Sequence, residues 1–356
     1  MTVRVGVVGV GMIGQDHIRR ITQVLSGGVV VAVTDVDPAR ARQAASGLPG
    51  AAIHPTGRDL IADRDVDAVL VTSWGPTHEE HVLAAIGAGK PVFCEKPLAT
   101  TAGAGRRIVD AEMAGGRRLV QVGFMRRYDP GYHALKAALE DGRIGAPLMM
   151  HCAHRNPAAP PYGFTTEMII SDSAVHELDL VRWMFGEDIV AANVLRPRRT
   201  GKAGPDLHDP LIVLLEMASG ILVDVEVFLN ATYGYDIRGE IVGEAGTVAL
   251  ADGGGDGADL TQDGVRSRRV PASWQERFGR AFDAEFQDWL RAVAAGTPAG
   301  PLGPAAPSAW DGYAAAVATE SCLEALRTGQ RTAVTVPEQP GFYAKAPCSG
   351  KPGEAA

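Results

Sequence analysis

The chain has 356 residues and a formal net charge of −8 at pH 7, which excludes a basic surface for nucleic acid or an anionic membrane. The length favours two domains, since single hydrophobic cores stop growing beyond about 250–300 residues. No apolar run approaches the ~18 residues of a membrane span, and no signal peptide precedes the first predicted strand. We therefore expect neither nucleic acid nor a membrane as partner.

The cysteine and histidine content argues against disulfides and metals. Four cysteines lie far apart and form no C-x-x-C pair, which is typical of a reducing compartment and predicts a cytoplasmic protein: Cys94, Cys152, Cys322 and Cys348. His151 and His154 look like metal ligands, but strand periodicity places them on opposite faces. We therefore predict no metal site.

The first predicted element is a β-branched strand that enters a G-x-G-x-x-G turn, followed by a helix over 15–25 and a buried strand over 29–33. Such a turn lets the backbone approach a pyrophosphate, and the helix N-terminus offers it free N–H groups. A purely structural turn is the alternative. We assign cofactor binding to five turn residues: Gly9, Gly11, Met12, Ile13 and Gly14.

An acid follows the second strand. Asp35 lies about 20 residues after Gly14, the offset expected of the carboxylate that binds the adenine ribose. A carboxylate there repels a 2′-phosphate, so the sequence predicts NAD rather than NADP. No arginine is adjacent to Asp35, although Arg40 and Arg42 follow soon after.

Strand and helix patterns keep alternating up to about residue 122, which predicts a doubly wound parallel sheet. The segments are a helix at 59–62, a strand at 68–72, a helix at 79–88, a strand at 91–95, a helix at 100–115 and a strand at 118–122.

Two of these strands end in polar residues, at the edge where ligands of open α/β sheets bind. We expect cofactor contacts from five residues there: Ser73, Trp74, His78, Glu95 and Lys96. The Lys96 ammonium could also bind a substrate hydroxyl and stabilise negative charge on its oxygen. The alternatives are a local hydrogen bond for His78 and a surface ion pair between Glu95 and Lys96.

The pattern then changes to strands that alternate apolar and polar residues, which indicates an open antiparallel sheet with one covered face. Strands are predicted at 147–154, 189–195, 210–217, 221–230, 235–242 and 247–250, irregular hairpin structure at 251–273, and helices at 130–142, 171–185, 274–295 and 309–328.

A third polar stretch lies in the helix predicted at 171–185. Asp172, His176 and Asp179 are spaced i, i+4 and i+7, so they share one helix face. A histidine between two carboxylates is suited to take a proton near neutral pH. The alternative is a capping aspartate and a solvated stripe. A serine nucleophile is not expected, because no G-x-S-x-G motif occurs.

The glycine turn, Glu95-Lys96-Pro97 and His176-Glu177-Leu178-Asp179 together resemble the glucose–fructose oxidoreductase/inositol dehydrogenase/MocA (Gfo/Idh/MocA) family over nearly the whole chain. Longer stretches resemble its bacterial inositol 2-dehydrogenases: 71–76, 93–101, 120–129, 151–157 and 233–237. The resemblance implies NAD-dependent oxidation of myo-inositol at C2 to the 2-keto product. The alternatives are a dehydrogenase of scyllo-inositol or another cyclitol or pyranose, and a non-catalytic NAD-binding regulator.

The resemblance also implies roles for individual residues. It assigns catalysis to Lys96, Asp172 and His176, with His176 as base, Lys96 on the reacting oxygen and Asp172 orienting His176. The same three residues should bind the polyol, and the remaining pocket positions would be Arg126, His154, Asp179 and Tyr235.

The implied organisation is an N-terminal Rossmann domain over 1–123 and an α+β domain over 124–336 that binds substrate and oligomerises. A late helix within 274–328 would pack back on the Rossmann domain. The large, open, mostly antiparallel sheet would be buried in a dimer, and dimers would pair into a homotetramer. A tail over 337–356 should be mobile at its end, and the Pro-rich loop at 158–164 departs from the family.

Overall fold

A parallel sheet of six strands forms the first part of the computed structural model, which describes residues 2–160, 163–251, 259–263, 265–296 and 306–344. The strands are β1 (Val3–Val8), β2 (Gly28–Thr34), β3 (Ala52–Ile53), β4 (Ala68–Val71), β5 (Val92–Glu95) and β6 (Val120–Gly123). The intervening helices are α1 (Met12–Arg19), α2 (Pro38–Ser46), α3 (Gly57–Ala62), α4 (His78–Gly87) and α5 (Ala102–Gly115).

The strand order β3-β2-β1-β4-β5-β6 is that of a doubly wound Rossmann sheet, as predicted. Every strand pair in it is parallel. The order reverses between β1 and β4, so a crevice opens at the carboxyl ends of these two strands. Ligands of such sheets bind in that crevice.

The second sheet has seven strands in the order β12-β11-β7-β10-β9-β8-β15. Its strands are β7 (Pro147–Arg155), β8 (Ile189–Leu195), β9 (Leu211–Met217), β10 (Leu222–Phe228), β11 (Asp236–Gly243), β12 (Gly246–Ala249) and β15 (Thr332–Ala333). Only β7 and β10 pair in parallel, which confirms a mostly antiparallel sheet. A separate hairpin joins β13 (Asp259–Gln262) and β14 (Val265–Arg268).

One face of this second sheet is covered, because apolar and polar residues alternate along its strands, as the sequence predicts. Along β10 the apolar residues Val223, Val225 and Val227 are buried, whereas Asp224 and Glu226 point to the other face. The helices of this part are α6 (Pro130–Glu140), α7 (Thr166–Met168), α8 (Val175–Phe185), α9 (Trp274–Ala294) and α10 (Ala309–Thr328).

Two helical stretches contain π-helical segments that regular periodicity does not predict. One continues α1 over Arg20–Val24, and the other, Ile169–Ala174, joins α7 to α8. The helix predicted to begin at 171 therefore begins earlier, and Asp172 lies in a wider helical turn than His176 does. This changes the directions of side chains before α8 from those of an ideal helix.

Both late helices reach the parallel sheet. Phe286 and Trp289 of α9 are fully buried in the core that surrounds β1 and β2. Trp310 and Tyr313 of α10 are buried in the core on β4, β5 and β6. The helix α10 begins at a capping box, in which Ser308 and Asp311 satisfy each other's backbone N–H groups.

The described part of the predicted tail, residues 337–344, packs against the Rossmann domain. The mobility predicted for the end of the tail concerns residues beyond 344. Tyr343 is 2% exposed and donates a 2.6 Å hydrogen bond to the buried carboxylate of Glu112 on α5. Residues 345–356 lie outside the described residues. We propose that the Rossmann domain ends at Gly123, the last residue of β6. No helix in the described ranges has the length and apolar character needed to cross a membrane.

Candidate active site

The glycine turn between β1 and α1 forms an open cradle at the point where the strand order reverses. Gly9 has a φ of 92°, and a Cβ there would lie 2.6 Å from the backbone of Ser73. A Cβ on Gly14 would collide with the Gly9 carbonyl, whereas one on Gly11 would meet no atom within 4 Å. The space at Gly11 therefore suits a pyrophosphate, beside a helix N-terminus that no side chain caps.

Large apolar side chains lie beside this space. Met12 and Trp74 are 68% and 76% exposed, and Ile13 between them and the turn is partly buried. Ser73 follows β4 and binds Thr77, with 2.7 Å between the two hydroxyl oxygens. Exposed apolar groups around an open glycine turn fit a bound dinucleotide, which would cover them.

Asp35 holds its carboxylate in place through backbone groups. Its oxygens accept hydrogen bonds from the N–H groups of Val10 at 2.8 Å and Asp37 at 2.9 Å. Arg40 donates to the same carboxylate from Nε and Nη2, at 3.1 and 2.7 Å. Burial alone would raise the pKa of Asp35, but these hydrogen bonds outweigh it and lower the pKa. The carboxylate is therefore a fixed negative charge where a ribose is expected.

Two residues predicted to contact the cofactor are buried and engaged elsewhere. His78 is 1% exposed, and its ring nitrogens lie 2.7 Å from the Pro97 carbonyl oxygen and 2.9 Å from that of Ser73. Glu95 is 6% exposed and binds His17 and the backbone N–H of Lys96. Both residues fix the loops after β4 and β5, and their direct contact with the cofactor stays a prediction that these partners do not support.

Lys96 and Asp172 come from different parts of the chain and form an ion pair. The Lys96 ammonium donates to Asp172 Oδ1 at 2.7 Å and to the Asp172 backbone oxygen at 2.9 Å. Asp172 lies in the π-helical segment that leads directly into α8, where His176 is one turn further on. The structure thus brings the ammonium, the carboxylate and the imidazole to one place.

His176 is a neutral histidine in this site. Burial lowers its pKa well below the usual value, and the positive charges of Lys96 and Arg126 lower it further. Its Nδ1 has no hydrogen-bond partner among the described residues. The Asp172 carboxylate binds Lys96, and the pKa of His176 is lowered rather than raised. That Asp172 orients His176 stays a prediction.

Three of the residues assigned to the pocket form one group: His154 lies beside His176, and Arg126 and Tyr235 lie beside His154. The ring of His154 is 6.4 Å from that of His176 and 6.2 Å from that of Tyr235, between centroids. Arg126 Nη2 is 3.1 Å from His154 Nδ1. The fully buried carboxylate of Glu177 binds both Arg126 and His154. Sequence reasoning missed this role of Glu177; the available signal was its position directly between the candidate base His176 and the apolar Leu178.

Asp179 does not line the pocket with them. It is 1% exposed, and its two oxygens accept the Nε and Nη2 groups of Arg127. Arg127 also donates to Asp311, at the start of α10, at 2.9 Å. Both of its oxygens are thus used in a network that ties α8 to α10. The assignment of Asp179 to substrate stays a prediction that these contacts do not support.

Comparison with known proteins agrees with this arrangement. A family model described as an oxidoreductase family with an NAD-binding Rossmann fold matches residues 3–124, and the GFO/IDH/MocA C-terminal domain matches residues 132–249. The chain belongs to the GFO/IDH/MocA oxidoreductase family. The predicted family, fold and cofactor, NAD, are thereby confirmed.

Members of the family with similar sequences include two inositol 2-dehydrogenases. One, from Saccharopolyspora erythraea, is 54% identical over 96% of this chain and 98% of its own length. The other, from Pseudomonas fluorescens, is 53% identical over 97% of this chain and 100% of its own. A similar solved structure is the crystal structure of myo-inositol dehydrogenase from Lactobacillus casei in complex with NAD(H) and myo-inositol. Its sequence is 39% identical to this one, and the two structures superpose with a TM-score of 0.92 over 97% of this chain and 100% of that chain.

Proposed function

We propose that this protein is an NAD-dependent dehydrogenase that oxidises myo-inositol at C2 to 2-keto-myo-inositol, scyllo-inosose. The observation that supports the proposal most is that the Lys96 ammonium, held by Asp172 at 2.7 Å, is near enough to His176 to lower the pKa of that imidazole. Such a pair can bind an alcohol and remove its proton. The 54% identity to an inositol 2-dehydrogenase over nearly the full length of both chains supports this substrate.

In the proposed mechanism, His176 takes the proton of the reacting hydroxyl group. Lys96 donates a hydrogen bond to the same oxygen and stabilises its alkoxide-like charge. Asp172 holds the Lys96 ammonium at 2.7 Å and keeps it aimed at the site. Bound NAD supplies the acceptor for the hydride. Because the lowered pKa keeps His176 neutral at pH 7, the base is ready without prior loss of a proton.

The remaining hydroxyls of the polyol would be bound by Arg126, His154 and Tyr235. Glu177 supports this assignment, because it fixes the Arg126 guanidinium and the His154 ring from behind. A rigid set of donors suits a cyclic polyol, whose hydroxyls have fixed directions and need little ordering on binding.

The experiment is an absorbance assay at the nicotinamide wavelength with purified protein. It compares myo-inositol, scyllo-inositol, chiro-inositol and glucose, each with NAD and with NADP. We expect the highest kcat/KM with myo-inositol and NAD. A higher value with scyllo-inositol or glucose would replace the substrate but keep the reaction, and NAD binding without reduction of NAD by any alcohol would favour a regulator.

We further propose a homotetramer, in which the open face of the second sheet is buried between subunits. The support is the composition of that face: the exposed apolar residues Met149, Leu214 and Leu222 lie among ion pairs such as Arg155–Glu226, whose atoms are 2.6 Å apart. Light scattering coupled to size-exclusion chromatography would measure the mass of the assembly and test this proposal. A mass close to 37.4 kDa, that of one chain, would contradict it.

We also propose a cytoplasmic location. The described cysteines Cys94, Cys152 and Cys322 are free and buried, which is usual in a reducing compartment. Fractionation of cells that express the protein at its native level would test this location.

A further inference from the structure

A buried chain of hydrogen bonds runs beneath the catalytic lysine and ends on its backbone. Arg20 Nη1 is 2.8 Å from His17 Nδ1, and His17 Nε2 is 2.6 Å from Glu95 Oε1. The second oxygen of Glu95 accepts the Lys96 N–H at 3.1 Å. Arg20 is held in turn by Asp283 of α9 at 2.7 Å. The chain therefore links α9, α1 and the residue after β5.

The direction of every bond in this chain follows from simple chemistry. A guanidinium can only donate, so His17 Nδ1 must accept the Arg20 proton. In a neutral ring the hydrogen is then on Nε2, which donates to Glu95. Burial lowers the pKa of His17, which is 0% exposed, and keeps the ring neutral. The hydrogen bond from His17 helps to lower the pKa of Glu95 against the effect of burial, so Glu95 is ionised and accepts from both sides.

The surroundings of His17 offer a way to separate hydrogen bonding from packing. Its ring lies against Phe286, with centroids 4.3 Å apart, and near Phe282 and Phe93 at 5.5 and 6.4 Å. A phenylalanine at position 17 would keep these aromatic contacts and lose both nitrogens. A glutamine would lose the aromatic ring and keep one donor and one acceptor.

We propose that His17 is a positioning residue for the reaction: through Glu95 it fixes the backbone of Lys96, and so couples the helix after the glycine turn to the lysine that binds the reacting oxygen. His17 touches neither substrate nor cofactor in this role. The inference rests on the proposed function, because the importance of Lys96 placement depends on an alcohol binding there. It also assigns a function to a histidine that the sequence pattern places in an ordinary amphipathic helix.

The first test compares His17→Phe with His17→Gln in steady-state kinetics. Because a displacement of about 1 Å can cost up to ~100-fold in rate, we expect His17→Phe to lower kcat by roughly 10- to 100-fold. The KM for inositol and the dissociation constant of NAD should change by less than about 3-fold, since the groups that bind them remain. His17→Gln should retain kcat within about 5-fold. A normal kcat in His17→Phe, or an equal loss in both variants, would overturn the proposal.

A second variant keeps the test decisive if His17→Phe does not fold. Glu95→Gln replaces one acceptor oxygen by a donor, so it breaks one of the two bonds that Glu95 accepts. We expect the same pattern of lower kcat with little change in KM. Where His17→Phe does fold, the two changes should be non-additive, because both interrupt one chain. Additive effects would mean that His17 and Glu95 act independently.

The last test does not depend on the substrate. Amide hydrogen exchange in the cofactor-free protein reports directly on the Lys96 N–H, which Glu95 accepts. The peptide containing this amide should exchange faster in His17→Phe and at the wild-type rate in His17→Gln. Unchanged protection in His17→Phe would refute the positioning role. Wild-type protein that oxidises no inositol would refute the proposed function alone, and this exchange result would still stand.

Discussion

The two halves of the site are built in different ways. The dinucleotide half, residues 3–35, is one continuous segment that offers backbone groups, and even the carboxylate expected at the ribose, that of Asp35, is anchored by backbone N–H groups. The alcohol half, which contains Lys96, Asp172 and His176, is assembled from distant segments through contacts between side chains. Outside the glycine positions, groups of the backbone are kept when a side chain is replaced, whereas a balance of side-chain charges changes with each replacement.

The largest effect should come from removing the ammonium of the alcohol half. Lys96→Met should lower kcat/KM by about 10³-fold, because it removes the only proposed cation on the reacting oxygen. It should also raise the pKa of His176, since the Lys96 charge lowers it in the wild type. The acid limb of the pH–rate profile should therefore move to higher pH. Lys136→Met, on α6, is the matched control and should leave both quantities unchanged.

A smaller effect is expected from removing the base. His176→Ala should lower kcat by about 10²-fold, the lower end of the usual range, because a histidine with a lowered pKa is a weak base. The sign of the pH dependence follows: the neutral form predominates above the lowered pKa, so wild-type kcat/KM should be flat near pH 7 and fall only in acid. An acid limb centred above pH 6.5, or unchanged kcat in the variant, would contradict the assignment.

A substitution in the dinucleotide half should have a smaller effect, which should appear in the preference between NAD and NADP rather than in the rate of oxidation. Asp35→Ser removes the charge that repels a 2′-phosphate and releases Arg40, which now binds Asp35 at 2.7 Å. The ratio of kcat/KM for NADP to that for NAD should rise roughly 10- to 100-fold, as expected for one charge-assisted contact. Asp35→Ser combined with Arg40→Ala should gain less. Equal gains in both variants would exclude Arg40 from phosphate binding.

The smallest effect is expected on the free energy of unfolding, at the place where the two halves of the site meet. Glu285 of α9 is 0% exposed, and neither carboxylate oxygen has a partner in the described part of the chain. Burial, together with the charge of Glu95, raises its pKa well above the usual 4.5. The folded state thus keeps a proton that the unfolded chain loses, so the free energy of unfolding should fall as pH rises above about 4.5.

Glu285→Gln removes this penalty. The variant should be more stable than the wild type by about 1 kcal/mol at pH 8, and the difference should disappear near pH 4.5. Urea unfolding at both pH values would measure it. Asp288→Asn, on the exposed side of the same helix, should show no such difference between the two pH values. Equal stability of Glu285→Gln and wild type at pH 8 would mean that Glu285 has a partner when the protein is in solution.

The same contrast explains what the sequence could predict. The glycine turn, Asp35 and the alternating strands depend on neighbours within a few residues, so their periodicity and spacing are visible in the sequence. The oppositely charged partners of Lys96, Arg126 and Asp179 are not visible in the sequence. Each pair joins two separate segments, and the sequence does not show which of the many charged residues will lie nearby. Asp172 illustrates this limit: helical spacing identified His176 as its neighbour, whereas in the structure its carboxylate binds Lys96.

Secondary structure shows the same limit. The π-helical segments at Arg20–Val24 and Ile169–Ala174 have ordinary helix-forming sequences, and tertiary contacts decide the wider turn. The helix predicted over 15–25 includes His17, but nothing in its pattern indicates that this ring is buried. Its burial among three phenylalanines depends on α9, which follows more than 250 residues later in the chain.

The packing of α9 and α10 affects how the protein is made. The first 123 residues complete the parallel sheet, but the cores on its two faces also contain Trp289 and Trp310, from the last quarter of the chain. During synthesis, part of the hydrophobic surface of the N-terminal segment therefore stays exposed until these two helices leave the ribosome. A chain truncated before α10 should therefore bind to chaperones and should not fold into a smaller nucleotide-binding protein.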